Sequence, residues 1–121
     1  MTEFSGNEES VAAARAFVAH VIGHCHRETI EVARLLTSEL ATNAVVHAHS
    51  AFDVAASESG GTVHVEVTDG CSTWPEALAA MTIDLHGRGL LLLGELSAGW
   101  GVVDAPPGKT VWFDLLCEDN P

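Results

Sequence analysis

Three polar side chains interrupt the apolar face of one predicted helix. Helical spacing aligns an apolar stripe made of Val32, Leu36, Leu40 and Val46. Glu39, Asn43 and His47, each one turn after the last, fall inside this stripe. Burying an unbonded polar group costs roughly 2–7 kcal/mol, so these side chains need water, a metal ion or a ligand as partners. The alternative is that they hydrogen-bond to a neighbouring loop and have a purely structural role.

The clearest predicted strand carries a second carboxylate into the interior. Over Thr62–Thr68, three valines point to one face and His64, Glu66 and Thr68 to the other. Continuing this alternation puts Asp69 on the valine face, directly before the turn that begins at Gly70. We therefore expect Asp69 to be buried at the end of this strand.

The remaining patterns predict an α+β fold, a two-layer sandwich with a mixed, mostly antiparallel sheet. At 121 residues the chain is expected to form one domain, residues 1–121, with residues 1–9 as a loose N-terminal lead-in. In order, we predict a helix over Val11–Ile22 capped by Ser10, a helix from about Arg27 to His49, a strand over Phe52–Ala56, a turn at Glu58–Gly61, the strand Thr62–Thr68, an irregular segment over Thr73–His86, a buried helix over Leu90–Leu96, and strands over Trp100–Val103 and Thr110–Leu116.

Composition excludes several classes of protein. A formal net charge of −12, with five Lys and Arg in total, argues against nucleic-acid binding. The same charge repels free nucleotides, so a phosphate ligand is expected to arrive with a divalent cation and to bind backbone N–H groups. The uncharged run Leu90–Gly94 is too short to span a bilayer, and Met1–Ser10 is too polar for a signal peptide. We expect a cytoplasmic protein that does not bind a membrane.

The cysteines and a short histidine cluster leave two interpretations. Cys25, Cys71 and Cys117 are odd in number and widely separated, which is typical of reduced thiols in the cytosol. The cluster made of His20, His24, Cys25 and His26 admits a structural zinc site. We favour surface or packing roles, because Gly23 interrupts the cluster and no second ligand pair with matching spacing follows.

Four short motifs, in this order, resemble those of a known family. They are Glu39-x-x-x-Asn43 on a helix, Asp69-Gly70 closing a strand, Gly87-x-Gly89 opening a helix, and Gly108-Lys109-Thr110 starting the last strand. Together they resemble the ATP-binding (Bergerat) fold of histidine kinases, type II topoisomerases and heat-shock chaperones, the GHKL group. Within it, the phrases Ser38–Ala44, Gly87–Leu90 and Trp100–Val102 are similar to small actinobacterial anti-sigma-factor-like serine kinases. The resemblance covers about residues 11–116.

The resemblance implies a role for each motif. Asn43 would bind the Mg²⁺ that bridges the phosphates, and Glu39 would act as general base. Asp69 would accept a hydrogen bond from the adenine amino group, with Thr110 in support. The residues implied in binding ATP and Mg²⁺ are Asn43, Asp69, Gly70, Gly87, Arg88, Gly89, Leu90 and Thr110. The segment from Cys71 to His86 would close over the nucleotide as a lid.

Two functions follow from this resemblance. The first is a Mg-ATP-dependent kinase that phosphorylates a serine on an anti-anti-sigma partner and sequesters a sigma factor. The second is an interaction module that binds ATP weakly or not at all and switches partners without chemistry. A histidine-kinase fragment is a weaker third, because His20 to His26 end the first helix rather than lying in a separate dimerisation hairpin. A homodimer is compatible with the resemblance.

Overall fold

The computed structural model describes residues 2–48, 51–70 and 93–117, in which two helices pack against a five-stranded sheet. The sheet has the order β1-β2-β3-β5-β4, and every neighbouring pair of these strands is antiparallel. The predicted α+β class is confirmed. The elements are β1 (Thr2–Phe4), α1 (Glu8–Val21), α2 (Arg27–Asn43), a π-helical segment (Ala44–Ala48), β2 (Phe52–Ser59), β3 (Thr62–Asp69), β4 (Gly99–Ala105) and β5 (Gly108–Leu116).

The N-terminal segment is ordered, contrary to the expected loose lead-in. Thr2–Phe4 pair with β2, and the Phe4 ring stacks on Phe52 with 5.5 Å between centroids. The cap of α1 is Asn7, whose side chain accepts a hydrogen bond from the Ser10 amide at 3.0 Å. Ser10 was therefore the wrong cap. Its hydroxyl also lies 3.1 Å from the Asn7 side-chain oxygen, inside the first turn.

Buried and partly exposed side chains alternate along the central strands, and the buried ones form the core face of the sheet. Val63, Val65 and Val67 are buried on β3, and every second residue of β5 from Lys109 to Leu115 is buried as well. The predicted turn between β2 and β3 is a tight one at Gly60 and Gly61, both with positive φ. Only glycine adopts that conformation without strain, which sets the register of this hairpin.

Helix α2 runs antiparallel to β5 and extends along most of the length of this strand. Near the start of the helix, the Thr29 hydroxyl donates to the Leu116 carbonyl at the end of β5, at 3.2 Å. A helix of 17 residues spans about 25 Å and a strand of nine about 30 Å. The C-terminal end of α2 consequently lies toward the start of β5.

The predicted apolar stripe of α2 is correct as far as Leu40 and fails after Asn43. Leu36 and Leu40 are buried, whereas Val46 is 40% exposed. Val46 belongs to the π-helical segment, whose hydrogen bonds join residues five apart rather than four. This widening rotates the later side chains away from the positions that a regular helix gives them.

Two cysteines form a disulfide, so the expectation of reduced thiols was wrong for them. Cys25 precedes α2 and Cys117 follows β5, and their sulfurs are bonded across a sequence separation of 92. The antiparallel packing of α2 on β5 brings their Cα atoms to 5.3 Å, within the range for disulfides. Cys71 lies outside the described residues.

The last part of the predicted Leu90–Leu96 helix is only partly buried. Residues 93–96 are helical, but only Leu93 is buried and Leu96 is 39% exposed. The predicted irregular segment Thr73–His86 lies outside the described residues. No helix in the described ranges is long and apolar enough to cross a membrane.

Candidate functional site

A buried ion pair lies where β3 ends and β5 begins. Asp69 and Lys109 are opposite each other in the strand register, and the Lys109 Nζ donates to Asp69 Oδ2 at 2.7 Å. Both side chains are only 7% exposed. The predicted burial of Asp69 is confirmed, and its ammonium partner Lys109 was not predicted as a site residue. A carboxylate so far from water needs such a partner, because its desolvation costs several kcal/mol.

Two strands approach each other unusually closely at this position. A Cβ added to Gly108 would overlap the Asp69 carbonyl oxygen and lie 2.7 Å from the Gly70 Cα. Glycine is therefore required at 108 for steric reasons. One step along the strands, the Thr68 and Thr110 hydroxyls lie 2.6 Å apart on the opposite face from the ion pair. The structure thus brings together four of the predicted positions or their neighbours: Asp69, Gly70, Gly108 and Thr110.

The polar residues of α2 lie near the same end of the sheet. Asn43 is the last residue of α2, and the chain re-enters the sheet at Phe52, which is paired with Asp69. The buried Asn43 Nδ2 has no hydrogen-bond partner among the described residues. An unsatisfied buried donor is costly, so Asn43 suits a ligand that carries acceptor oxygens. Glu39 lies one turn earlier on the same face and is half-buried.

Part of the predicted site lies outside the described residues. Gly87, Arg88, Gly89 and Leu90 lie outside the described residues, as does the side chain of His47. A groove of about 340 Å³ is present at the other end of α2, lined by residues that include Thr29, Ser97 and Leu116. Its lining contains neither Asn43 nor Asp69, so we do not assign it to the candidate site.

A second charged cluster lies on the sheet face opposite the core. His64 bridges two carboxylates, with Nδ1 2.5 Å from Asp114 Oδ1 and Nε2 2.8 Å from Glu66 Oε2. The ring also stacks on Trp112 at 5.7 Å. Desolvation lowers the pKa of His64, but its hydrogen bonds and charge interactions with Asp114 and Glu66 outweigh that effect. The pKa is raised above the usual 6.5, which favours a charged His64 near neutral pH.

Comparison with known proteins identifies the family of the chain. A family model described as the histidine kinase-like ATPase domain matches residues 4–115, which is nearly the whole chain. No curated protein matches the chain significantly.

Proposed function

Since this chain belongs to the family of histidine kinase-like ATPase domains, we propose that it is a Mg-ATP-binding regulator of the anti-sigma type. In this proposal it phosphorylates a serine on an anti-anti-sigma partner and sequesters a sigma factor in the cytoplasm, alone or as a homodimer. The observation that carries the proposal is the buried carboxylate of Asp69 at the end of β3, within a chain of this family.

The Asp69 end of the sheet supplies recognition of the base. A buried carboxylate is a strong acceptor for an exocyclic amino group, and a charge-assisted hydrogen bond of this kind contributes about 1.5–3 kcal/mol. Lys109 holds one carboxylate oxygen and so fixes the orientation of the acid. Gly108 allows the two strands to close tightly behind it. These contacts support a rigid, preformed acceptor for adenine.

Asn43 and Glu39 supply the phosphate end of the site. The Asn43 side chain fits a magnesium–phosphate group, because its carbonyl oxygen suits a hard cation and its orphaned Nδ2 can donate to a phosphate oxygen. When bound, magnesium would neutralise charge on the phosphates. Glu39 accepts the proton that the partner's serine loses as its oxygen bonds to the γ-phosphorus and ADP departs. Gly87, Arg88, Gly89 and Leu90 remain predicted phosphate contacts.

The alternative is a partner-switching module that binds ATP weakly or not at all and transfers no phosphate. The ion pair between Asp69 and Lys109 is the observation that favours it, since the ammonium competes with the adenine amino group for the same carboxylate. In that case Glu39 has a structural role only.

One experiment separates the two functions. The protein is incubated with labelled ATP, Mg²⁺ and candidate partner proteins and scored for transfer, while calorimetry measures nucleotide affinity. Asn43→Ala should abolish Mg²⁺-dependent affinity. Glu39→Gln should keep affinity and lose transfer by about 10²–10⁴-fold, the usual contribution of a positioned base. Glu31→Gln, an exposed change on the same helix, is the matched control and should affect neither.

The results have distinct meanings. Clear Mg-ATP binding without transfer to any partner selects the switching module. Absence of Mg²⁺-dependent ATP binding by the parent protein contradicts the kinase function.

A further inference from the structure

Three potential metal ligands meet at the end of the domain opposite the candidate ATP site, and a fourth lies beside one of them. One ligand atom from each of His24, Cys25 and Cys117 lies within 4.8 Å of the other two. The His24 Nε2 is 3.9 Å from Cys25 Sγ and 3.8 Å from Cys117 Sγ. A carboxylate oxygen of Glu58, near the end of β2, lies 2.7 Å from the same nitrogen. These side chains come from three separate segments of the chain, so the fold itself assembles the cluster.

Two sulfurs, one imidazole nitrogen and one carboxylate oxygen make up a zinc ligand set. Zinc binds thiolate at about 2.3 Å and imidazole at about 2.0–2.1 Å in a tetrahedron, which separates a sulfur from a nitrogen by about 3.6 Å. The distances from His24 to the two sulfurs are already close to this value. Reduction of the disulfide frees the two sulfurs to move apart. The Glu58 oxygen must also move from 2.7 Å to about 3.3 Å from the His24 nitrogen, the separation of two such ligands in a tetrahedral site.

We propose that the dithiol form of this protein binds one Zn²⁺ through His24, Cys25, Glu58 and Cys117. Zinc binding and the disulfide are mutually exclusive, because both use the sulfurs of Cys25 and Cys117. A dithiol or phosphine reductant converts the disulfide into two thiols and is itself oxidised. Zn²⁺ then binds both sulfurs as thiolates, and two protons are released to solvent.

The surroundings suit entry and retention of a metal ion. Cys25 is buried at 1% exposure, whereas the His24 side chain is 50% exposed, so the ion can approach from the solvent side. The net charge of −12 favours cation binding in general. Glu58 Oε1 already lies 2.7 Å from the His24 nitrogen, so a carboxylate oxygen is present beside the imidazole ligand.

The neighbouring histidines of the sequence cluster are not part of this site. His26 caps α2, because its Nδ1 accepts a hydrogen bond from the Glu28 amide at 3.1 Å. His20 lies in the last turn of α1 and is exposed. The second pair of ligands that a zinc site needs comes instead from Glu58 and Cys117, both distant in sequence.

The test uses the full chain, reduced with a phosphine under anaerobic conditions and stripped of metal by a chelator. Zn²⁺ is titrated against a chromophoric competitor, and Co²⁺ is used to detect the thiolate-to-metal charge-transfer band. Reduced wild-type protein should bind one equivalent of Zn²⁺, and the oxidised protein none. Cys117→Ser and His24→Ala should each weaken zinc binding by about 10²-fold or more. Loss of a residue that only hydrogen-bonds to a metal ligand already lowers metal affinity by about 10–100-fold.

Matched changes make the result specific. Cys71→Ala removes the third thiol of the chain and should leave affinity and the cobalt spectrum unchanged. Circular dichroism of each reduced variant checks that it is folded. Zinc binding that survives both Cys117→Ser and His24→Ala, or that is lost in Cys71→Ala, would overturn the proposal. Wild-type affinity in Glu58→Gln would overturn the assignment of Glu58 as the fourth ligand.

Discussion

Replacing Lys109 by methionine tests the energetics of the buried ion pair. Methionine has a similar length and no charge, so the change leaves the 7% exposed Asp69 carboxylate without its ammonium partner. Removing one member of a buried pair costs about 3–5 kcal/mol, whereas an exposed pair contributes at most about 1 kcal/mol. We expect Lys109→Met to lower the free energy of unfolding by about 3–5 kcal/mol.

Urea unfolding followed by circular dichroism measures this loss. For a urea slope of about 1.5–2 kcal/mol/M, the midpoint should fall by about 1.5–3 M. Arg27→Met is the control, because Arg27 is an exposed cation at the start of α2. Arg27→Met should change the free energy of unfolding by less than about 0.5 kcal/mol, which is a midpoint shift of less than about 0.3 M.

A double change distinguishes a lost charge partner from lost packing. Asp69→Asn combined with Lys109→Met removes both charges and should recover most of the stability, as neutral replacements of buried pairs often do. A Lys109→Met midpoint equal to that of the wild type would refute the reasoning. So would a double variant whose loss is the sum of the two single losses, because the two side chains would then not interact.

Three further substitutions have outcomes fixed by the geometry. Gly108→Ala should destabilise the fold by about 3 kcal/mol or more in thermal melts, because the new Cβ overlaps backbone, whereas Gly94→Ala meets nothing within 4 Å and should be tolerated. Gly101→Ala should cost about 1–3 kcal/mol and change tryptophan fluorescence, since its Cβ would lie 2.7 Å from the Trp112 indole nitrogen. The raised pKa of His64 gives stability that is fully present below about pH 6.5 and is lost as pH rises through the raised value, so the wild-type advantage over His64→Gln should shrink from about pH 6.5 upward. An unchanged difference across that range would contradict this role for His64.

The central hairpin and the buried acid could be predicted from the sequence because alternation is a local signal. The valines at every second position of β3 predict that Asp69, the next position on that face, is buried. The same alternation predicts that Lys109 is buried, because it lies two residues before Val111 and four before Phe113 on the same face of β5. Two opposite charges at the ends of two buried faces, on strands that could be neighbours, predict an ion pair. The motif Gly108-Lys109-Thr110 by itself indicates no such role for Lys109.

Other features depend on contacts that no local pattern specifies. The pairing of Thr2–Phe4 with β2 joins segments about fifty residues apart, and a three-residue strand is too short to show alternation. The meeting of Cys25 with Cys117 depends on α2 running antiparallel to β5. The π-helical segment after Asn43 altered the helical phase, so a regular projection gave the wrong exposure for Val46.

The bond between Cys25 and Cys117 also determines how the chain responds to mechanical force. It closes a covalent loop that contains α2 and β2 to β5, while β1 and α1 lie outside it. Pulling on the two termini therefore loads β1 and α1 directly, and the loop cannot be extended while the bond is intact. Reduction releases the 92-residue separation, about 320 Å of additional contour length at roughly 3.5 Å per residue. The length gained under force thus reports whether the two sulfurs are bonded.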